Sequence, residues 1–177
     1  MNCSSTNDVY NNSSWNTSNE INLDEYNEFS ISVDSCFDLT LLTLTFSHRV
    51  SNVNSVPTWH IRSSVDDFST DLGFGQSGTL ITSSTINLPS NFIHLKTTSF
   101  RIYLTSAYAS STTWRNDNVS LSGIVATVVP QFFFADNDGD TFGDSDSSVL
   151  TCDLPAGYVE NALDCDDGNN QNDDGKH

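Results

Sequence analysis

Six short segments of this chain alternate apolar and polar residues with a period of two, and no stretch of ten or more residues carries a 3.6-residue period. They are EFSISV (28–33), LLTLTF (41–46), TWHIRS (58–63), TLITSSTINL (79–88), SFRIYL (99–104) and NVSLSGIVATVV (118–129). Runs of this kind, separated by Asn, Ser, Gly and Pro, are typical of strands that bury one face. They predict an all-β fold, an antiparallel β-sandwich of jelly-roll or lectin-like type over residues 15–129.

The same alternation predicts which side chains form the core. Leu42, Leu44 and Phe46 share one face of their segment, with threonines on the other. Trp59 and Ile61 share a face of the next segment. Successive side chains of a strand point to opposite faces, so these two sets are expected inside the sandwich.

Acidic residues crowd the last quarter of the chain. The formal net charge is −17, and residues 135–177 contribute 12 of the 23 acids against one base, a net −11. The change in composition near Pro130 predicts a boundary between the sandwich and a short, irregular acidic repeat at 130–177, with residues 1–14 as a flexible N-terminal arm. Six Lys and Arg in total make nucleic acid and anionic membranes poor partners. No apolar run approaches the ~20 residues of a membrane span.

Four cysteines are typical of an oxidising, extracellular compartment. Cys3, Cys36, Cys152 and Cys165 allow three pairings, and the sequence does not choose among them. Proximity along the chain favours Cys3–Cys36 and Cys152–Cys165. The opening MNCSSTNDVYNNSS lacks the basic start and apolar core of a signal peptide, so we expect a mature or trimmed piece of a longer secreted chain.

The stretch FFFADNDGDTFGDSDSS (132–148) predicts a calcium site. Ca²⁺ takes six to eight oxygen ligands, mostly carboxylates and carbonyls. The spacing resembles the ligand rhythm of an EF-hand, although the first glycine falls at the fourth position and Ser147 stands where the final glutamate would be. A second acidic cluster, LDCDDGNNQNDD, has three alternative roles. It supplies further ligands to the first calcium ion, it binds a second ion, or it binds an ion together with residues beyond His177. The candidate ligands are Asp136, Asp138, Asp140, the Phe142 carbonyl, Asp144, Asp164, Asp166 and Asp167.

The pattern DNDGDTFGD…C…PAGYV…DCDD over residues 132–170 resembles a metal-binding repeat of bacterial surface proteins, a relative of the thrombospondin type 3 calcium repeat. The resemblance implies that the cysteines pair and that the aspartates wrap calcium around little conventional core. It also implies a secreted or cell-surface location.

The stretches WHIRSSVDDFSTDLG, SFRIYLTSAY and TTWRNDNVSLSG are similar to parts of secreted proteins of Bacteroidetes-type bacteria, over residues 15–124. That resemblance implies a carbohydrate-binding-module-like sandwich. Sugar rings stack on aromatic faces beside fixed polar groups, so His60, Arg62, Tyr103 and Tyr108 are the candidate ligand contacts. Trp114 opens a strand and is expected in the core instead.

Catalysis is not predicted. His48, His60 and His94 lie in strand-like surroundings without a recognisable nucleophile and base. The expected function is therefore a non-catalytic, calcium-binding module that binds a polysaccharide or other glycan. The alternative is a structural or adhesive segment of a surface assembly or fibre, joined to neighbouring domains or to copies of itself. Ice binding by Thr-rich strands is a weaker third class, because no regular Thr-x-Thr ladder repeats.

Overall fold

The computed structural model describes residues 10–13, 15–109 and 111–164, and these residues form an all-β protein. The strands are β1 (Tyr10–Asn12), β2 (Tyr26–Ser32), β3 (Phe37–Val50), β4 (Thr58–Ser63), β5 (Gly73–Gln76), β6 (Thr82–Asn87), β7 (Thr97–Thr105), β8 (Trp114–Thr127), β9 (Gln131–Ala135), β10 (Ser148–Thr151) and β11 (Tyr158–Val159). A 3-10 turn at Ser64–Asp66 follows β4. Within this described part, no helix has the length and hydropathy of a membrane span.

Two four-stranded sheets form the sandwich that the alternation predicted. The first sheet has the order β1-β8-β3-β6, and the second has the order β2-β7-β4-β5. The ladders of the second sheet are antiparallel throughout. The fold class predicted from the sequence is confirmed.

One hydrophobic core lies between the two sheets and draws on both of them. Phe46 of β3 and Trp114 of β8 come from the first sheet, and Trp59, Ile61 and Phe100 come from the second. All five are buried. The expectation that both tryptophans are core residues is therefore confirmed.

Leu42 departs from the predicted pattern. Leu39 and Leu41 are buried, and the next buried residue of β3 is Leu44, so the alternation shifts by one position between Leu41 and Leu44. Leu42 is 50% exposed as a result. Its assignment to the core was wrong, because a one-residue slip moves a side chain to the opposite face of a strand.

The N-terminal segment is partly structured. Residues Tyr10–Asn12 pair antiparallel with Asn116–Trp114 of β8 and form the edge of the first sheet. Trp15 is buried against the Trp114 ring, with centroids 6.0 Å apart. The prediction of a flexible arm over residues 1–14 was therefore wrong for residues 10–12, because backbone pairing holds them in the sheet. Residues 1–9 and 14 lie outside the described part.

The chain divides into two compact units. The first contains the described residues up to Val33 together with Leu39–Val125, and the second contains Asp34–Asp38 and the chain from Ala126. The second unit holds a third, antiparallel sheet of order β10-β9-β11. The repeat is thus less irregular than expected, since a three-stranded ladder supports its acidic loop.

The disulfide joins Cys36 to Cys152, two residues of the second unit, across a sequence separation of 116. The pairing favoured by proximity, Cys3–Cys36 and Cys152–Cys165, is wrong. The Val128 N–H donates to the Cys36 carbonyl at 2.9 Å, so pairing between distant segments brings Cys36 to this unit. Cys3 and Cys165 lie outside the described residues. A disulfide is compatible with an extracellular protein.

Candidate functional site

The acidic loop, residues 136–144, begins directly after β9. Each of its first three aspartates uses a carboxylate oxygen to accept backbone N–H groups of the loop itself. Asp136 accepts from Gly139 at 2.8 Å, Asp138 accepts from Asp140 at 3.2 Å, and Asp140 accepts from Phe142 at 2.9 Å. Short Asp side chains favour such turns. The loop therefore folds around its own carboxylates.

The second oxygens of Asp138 and Asp140 have no hydrogen-bond partner and no contact with solvent. Together with Asp136 these residues can bring three ligand atoms within 4.8 Å of one another. Loss of hydration raises the pKa of Asp138, and the negative charges of Asp140, Asp164 and Asp136 raise it further, against a lowering by the Asp140 N–H. Crowded, unsatisfied carboxylate oxygens are the environment that a bound cation relieves.

Asp144 ends the acidic loop, and Asp164 lies beside it. They form an isolated parallel bridge, and the Asp164 N–H donates to the Gly143 carbonyl at 3.1 Å. Asp164 is buried, and its charge acts on Asp138. The structure thus brings the start of the second acidic cluster to the first. The Phe142 carbonyl stays a predicted ligand, and Asp166 and Asp167 lie outside the described residues.

Two glycines make this loop possible for different reasons. Gly139 has a φ of +80°, in the left-handed region that glycine adopts most readily. Gly143 is closely packed, since a Cβ there would lie 2.5 Å from the Phe134 Cβ and 2.6 Å from the Asn161 carbonyl oxygen. The first glycine allows the turn, and the second lets the loop lie against β9 and the segment after β11.

The sandwich unit carries a second polar cluster on the outer face of the second sheet, opposite the core. The Asp71 carboxylate accepts hydrogen bonds from His60 Nδ1 at 2.8 Å and from Arg62 Nε at 2.6 Å. His60 Nε2 lies 3.2 Å from the Thr105 hydroxyl. The prediction that His60 and Arg62 point away from the core is confirmed by these contacts.

Tyr103 and Tyr108 occupy different environments. Tyr103 is only 1% exposed and lies beneath the Arg62 guanidinium, whose central carbon is 5.7 Å from the ring centroid. Tyr108 follows β7, is 62% exposed, and donates its backbone N–H to the Ser55 hydroxyl. Tyr103 thus supports the cluster from below, whereas Tyr108 stands outside it.

The sequence interpretation missed three participants on this face: Asp71, Phe74 and Tyr26. Asp71 lies in the loop after β4, and Phe74 lies in β5, a four-residue strand that was not predicted. The available sequence signal for this strand was the segment GFGQ, in which Phe74 stands between two glycines. Nothing local indicates that Asp71 returns to His60, because that contact depends on the path of the loop.

A Ser–His pair exists in the core, but its surroundings oppose catalysis. The Ser77 hydroxyl is 2.7 Å from His48 Nδ1 and accepts the Trp114 indole N–H at 2.8 Å, while His48 Nε2 lies 2.9 Å from the Ser84 hydroxyl. Ser77 is fully buried, so no substrate reaches its oxygen. These bonds fit a neutral imidazole in which Nδ1 accepts from Ser77 and Nε2 donates to Ser84.

Because burial lowers the pKa of His48 below its ordinary 6.5, folding stability should depend on pH through this residue. Below pH 6.5 the unfolded chain binds a proton that folded His48 does not, so the unfolding free energy falls as pH falls toward the lowered pKa. The slope reaches at most about 1.4 kcal/mol per pH unit for one proton. Well above pH 6.5 the contribution of His48 to the unfolding free energy no longer changes with pH. Urea denaturation between pH 5 and 8 measures it.

The matched variant for this prediction is His48→Gln, which keeps a polar side chain but does not titrate. It should be less stable overall and should show a flatter pH dependence between pH 5 and 6.5. Equal pH slopes for the variant and the unaltered chain would mean that His48 is not the residue responsible.

The chain matches no protein-family model and no curated protein at a significant level. The family resemblances of residues 15–124 and 132–170 therefore stay expectations. The acidic loop and the polar cluster on the second sheet must be interpreted from their own geometry.

Proposed function

We propose that this chain is a non-catalytic, extracellular calcium-binding module of a bacterial surface protein, and that its sandwich binds carbohydrate. The observation that carries the calcium proposal is the convergence of Asp136, Asp138 and Asp140 within 4.8 Å, with oxygens of two of them unsatisfied. Hard oxygen donors and no nitrogen or sulfur donor in this group favour calcium over transition metals.

Asp136, Asp138 and Asp140 are the residues that would hold the ion, with Asp144 and Asp164 as neighbouring oxygen donors. A bound calcium ion would offset two of the four negative charges of the loop and fix its path between β9 and the following segments. The Cys36–Cys152 disulfide and the resemblance of residues 132–170 to a bacterial surface repeat support the extracellular assignment. Calcium thus has a structural role in this proposal.

Calcium should stabilise the chain, because an ion that binds only the folded state adds RT ln(1+[L]/Kd) to the unfolding free energy. At a free concentration one hundred times Kd the gain is about 2.7 kcal/mol. The melting temperature of the second unit should rise by roughly 10–20 °C over that in EDTA. Differential scanning calorimetry measures the shift, and titration calorimetry gives Kd and the number of ions.

The variant Asp138→Asn removes one ligand charge and should weaken calcium binding by about tenfold or more, since ligand charge tunes affinity over several decades. Asp146→Asn is the matched control, because Asp146 is exposed and lies outside the three-carboxylate group. It should bind calcium as the unaltered chain does. An identical melt in calcium and EDTA would contradict the calcium proposal.

The carbohydrate proposal is supported by the aromatic and hydrogen-bonding side chains on the outer face of the second sheet. The alternative, a structural or adhesive segment, is supported by the exposed Leu80 and Ile81 beside the edge strand β6. Exposed edge strands are templates for pairing with another chain. Concentration-dependent self-association in sedimentation, without binding to any glycan, is the result that the alternative predicts.

A further inference from the structure

Four ring-bearing residues form a straight row across the second sheet, one from each strand. Tyr26 of β2 pairs with Tyr103 of β7, Tyr103 pairs with His60 of β4, and His60 pairs with Phe74 of β5. Directly paired residues point to the same face, and here it is the face opposite the core. Since neighbouring strands lie about 4.8 Å apart, the row is roughly 14 Å long. We call it the aromatic row.

The two ends of the aromatic row are exposed, and its centre is buried, with Arg62 over the Tyr103 ring. Phe74 is 70% exposed and Tyr26 is 37% exposed, whereas Tyr103 is buried. The Phe74 ring stacks on His60 with centroids 6.2 Å apart, and Tyr26 meets the edge of Tyr103 at 5.7 Å. Each exposed ring is thus held by an inner ring, so little side-chain freedom remains to be lost on binding.

Ion pairs flank the row, and each arginine on this face is paired within it. Arg62 donates to Asp71, and Arg101 Nε donates to Glu28 at 2.6 Å. The Arg101 guanidinium also lies between two rings, 4.1 Å from the Tyr26 centroid and 3.8 Å from that of Phe68. These two acid–base pairs cancel their own charges, so neither guanidinium is an unpaired positive group. Asp66 and Asp67 of the neighbouring loop add negative charge, on a chain whose net charge is −17.

The loop after β4 covers part of this face in an unfavourable backbone conformation. Asp67 and Phe68, neither of them glycine, have φ values of 55° and 57°. Asp66 holds the loop by accepting hydrogen bonds from Ser69 and Thr70. This conformation positions Phe68 over Arg101 and brings Asp71 to His60. Backbone strain of this kind is concentrated at ligand-binding sites, where the surrounding structure maintains it.

We propose that the aromatic row and its flanking ion pairs form a binding face for a neutral oligosaccharide. The exposed parts of the Phe74 and Tyr26 rings offer apolar surface to sugar rings. The paired Arg62, Asp71 and His60 offer fixed donors and acceptors to hydroxyl groups. A face with no unpaired positive group, on a strongly acidic chain, disfavours anionic glycans, which the rest of the surface repels. This inference rests on the proposed carbohydrate-binding function and names its site and ligand class.

The probes are soluble neutral polysaccharides (arabinoxylan, galactomannan, mixed-linkage β-glucan) and anionic alginate, each cast into native gels for affinity electrophoresis of the whole chain. Retardation by at least one neutral polysaccharide and none by alginate is the expected result. Phe74→Ala should weaken the retained interaction about tenfold or more, as truncation of an aromatic hot spot does. Phe74 is mostly exposed, so the variant should keep the unaltered melting temperature.

Phe132→Ala is the matched control, since it removes an exposed ring of the second unit, outside the row, and should leave retardation unchanged. Retardation should also survive EDTA, because the residues of the face belong to the sandwich unit.

If the chain binds a neutral polysaccharide but Phe74→Ala and Tyr26→Ala bind equally well, the face is wrong and the carbohydrate function stands. Binding to alginate alone overturns the neutral class, and loss of binding in EDTA overturns this site. No retardation by any probe overturns both the inference and the carbohydrate function.

Discussion

Replacing Cys36 and Cys152 together by serine lowers the unfolding free energy of the protein by about 4–5 kcal/mol, the largest effect we expect from any change considered. The cross-link spans a sequence separation of 116. In the chain-entropy model, opening a loop of about 100 residues costs about 4.7 kcal/mol because the unfolded chain regains freedom. Urea denaturation of the oxidised chain and the double variant measures the difference.

Peptide mapping under non-reducing conditions is the control for this prediction. It should yield one cross-linked peptide that contains both Cys36 and Cys152. Cross-linked peptides that join Cys3 to Cys36 and Cys152 to Cys165 would contradict the structure and restore the pairing by proximity. A loss of stability below about 1 kcal/mol in the double variant would show that the cross-link constrains the unfolded chain little.

Trp114→Ala is expected to have the second-largest effect, a loss of about 3–5 kcal/mol, as for other large-to-small changes in a core. Trp114 is fully buried, contacts the Trp15 ring edge-on, and donates its indole N–H to Ser77. The variant leaves a cavity next to His48 and removes one member of a buried hydrogen-bond network. Denaturation followed by far-UV circular dichroism measures the loss without relying on tryptophan fluorescence.

Leu80→Ala is the matched control for the core substitution. Leu80 is largely exposed, so its truncation should change stability by no more than about 0.5 kcal/mol. If Trp114→Ala cost as little as Leu80→Ala, the indole would not be a core element. The Trp114→Phe variant keeps an aromatic ring in the core but removes the donor to Ser77 and part of the packing, so its loss should lie between those of the unaltered chain and Trp114→Ala.

The acidic loop could be predicted because its geometry is local. Asp136, Asp138 and Asp140 are two residues apart, and their backbone contacts reach only a few residues along the chain. A short loop with these turns must bring the three carboxylates together wherever it is placed. The approach of Asp164 to Asp138 was only one of the alternatives left open, since it depends on how β9 and β11 pair.

The polar face of the sandwich could be predicted only in part. Alternation within TWHIRS was enough to direct His60 and Arg62 away from the core. The partners of these residues come from other elements, Asp71 from a loop and Tyr103 from β7. Such contacts depend on strand order and register, and neither is encoded in the spacing of a single segment.

Three features follow from the sequence alone: the all-β class, the burial of Trp59 and Trp114, and the clustering of the loop aspartates. Each of these follows from side chains within a few positions of one another, where backbone periodicity fixes their relative direction. Three other features required the folded chain: the Cys36–Cys152 pairing, the aromatic row and the exposure of Leu42. These features depend on which distant strands become neighbours and in which register they pair. The local sequence allows several such pairings equally, and the assembly of the whole sheets selects one of them.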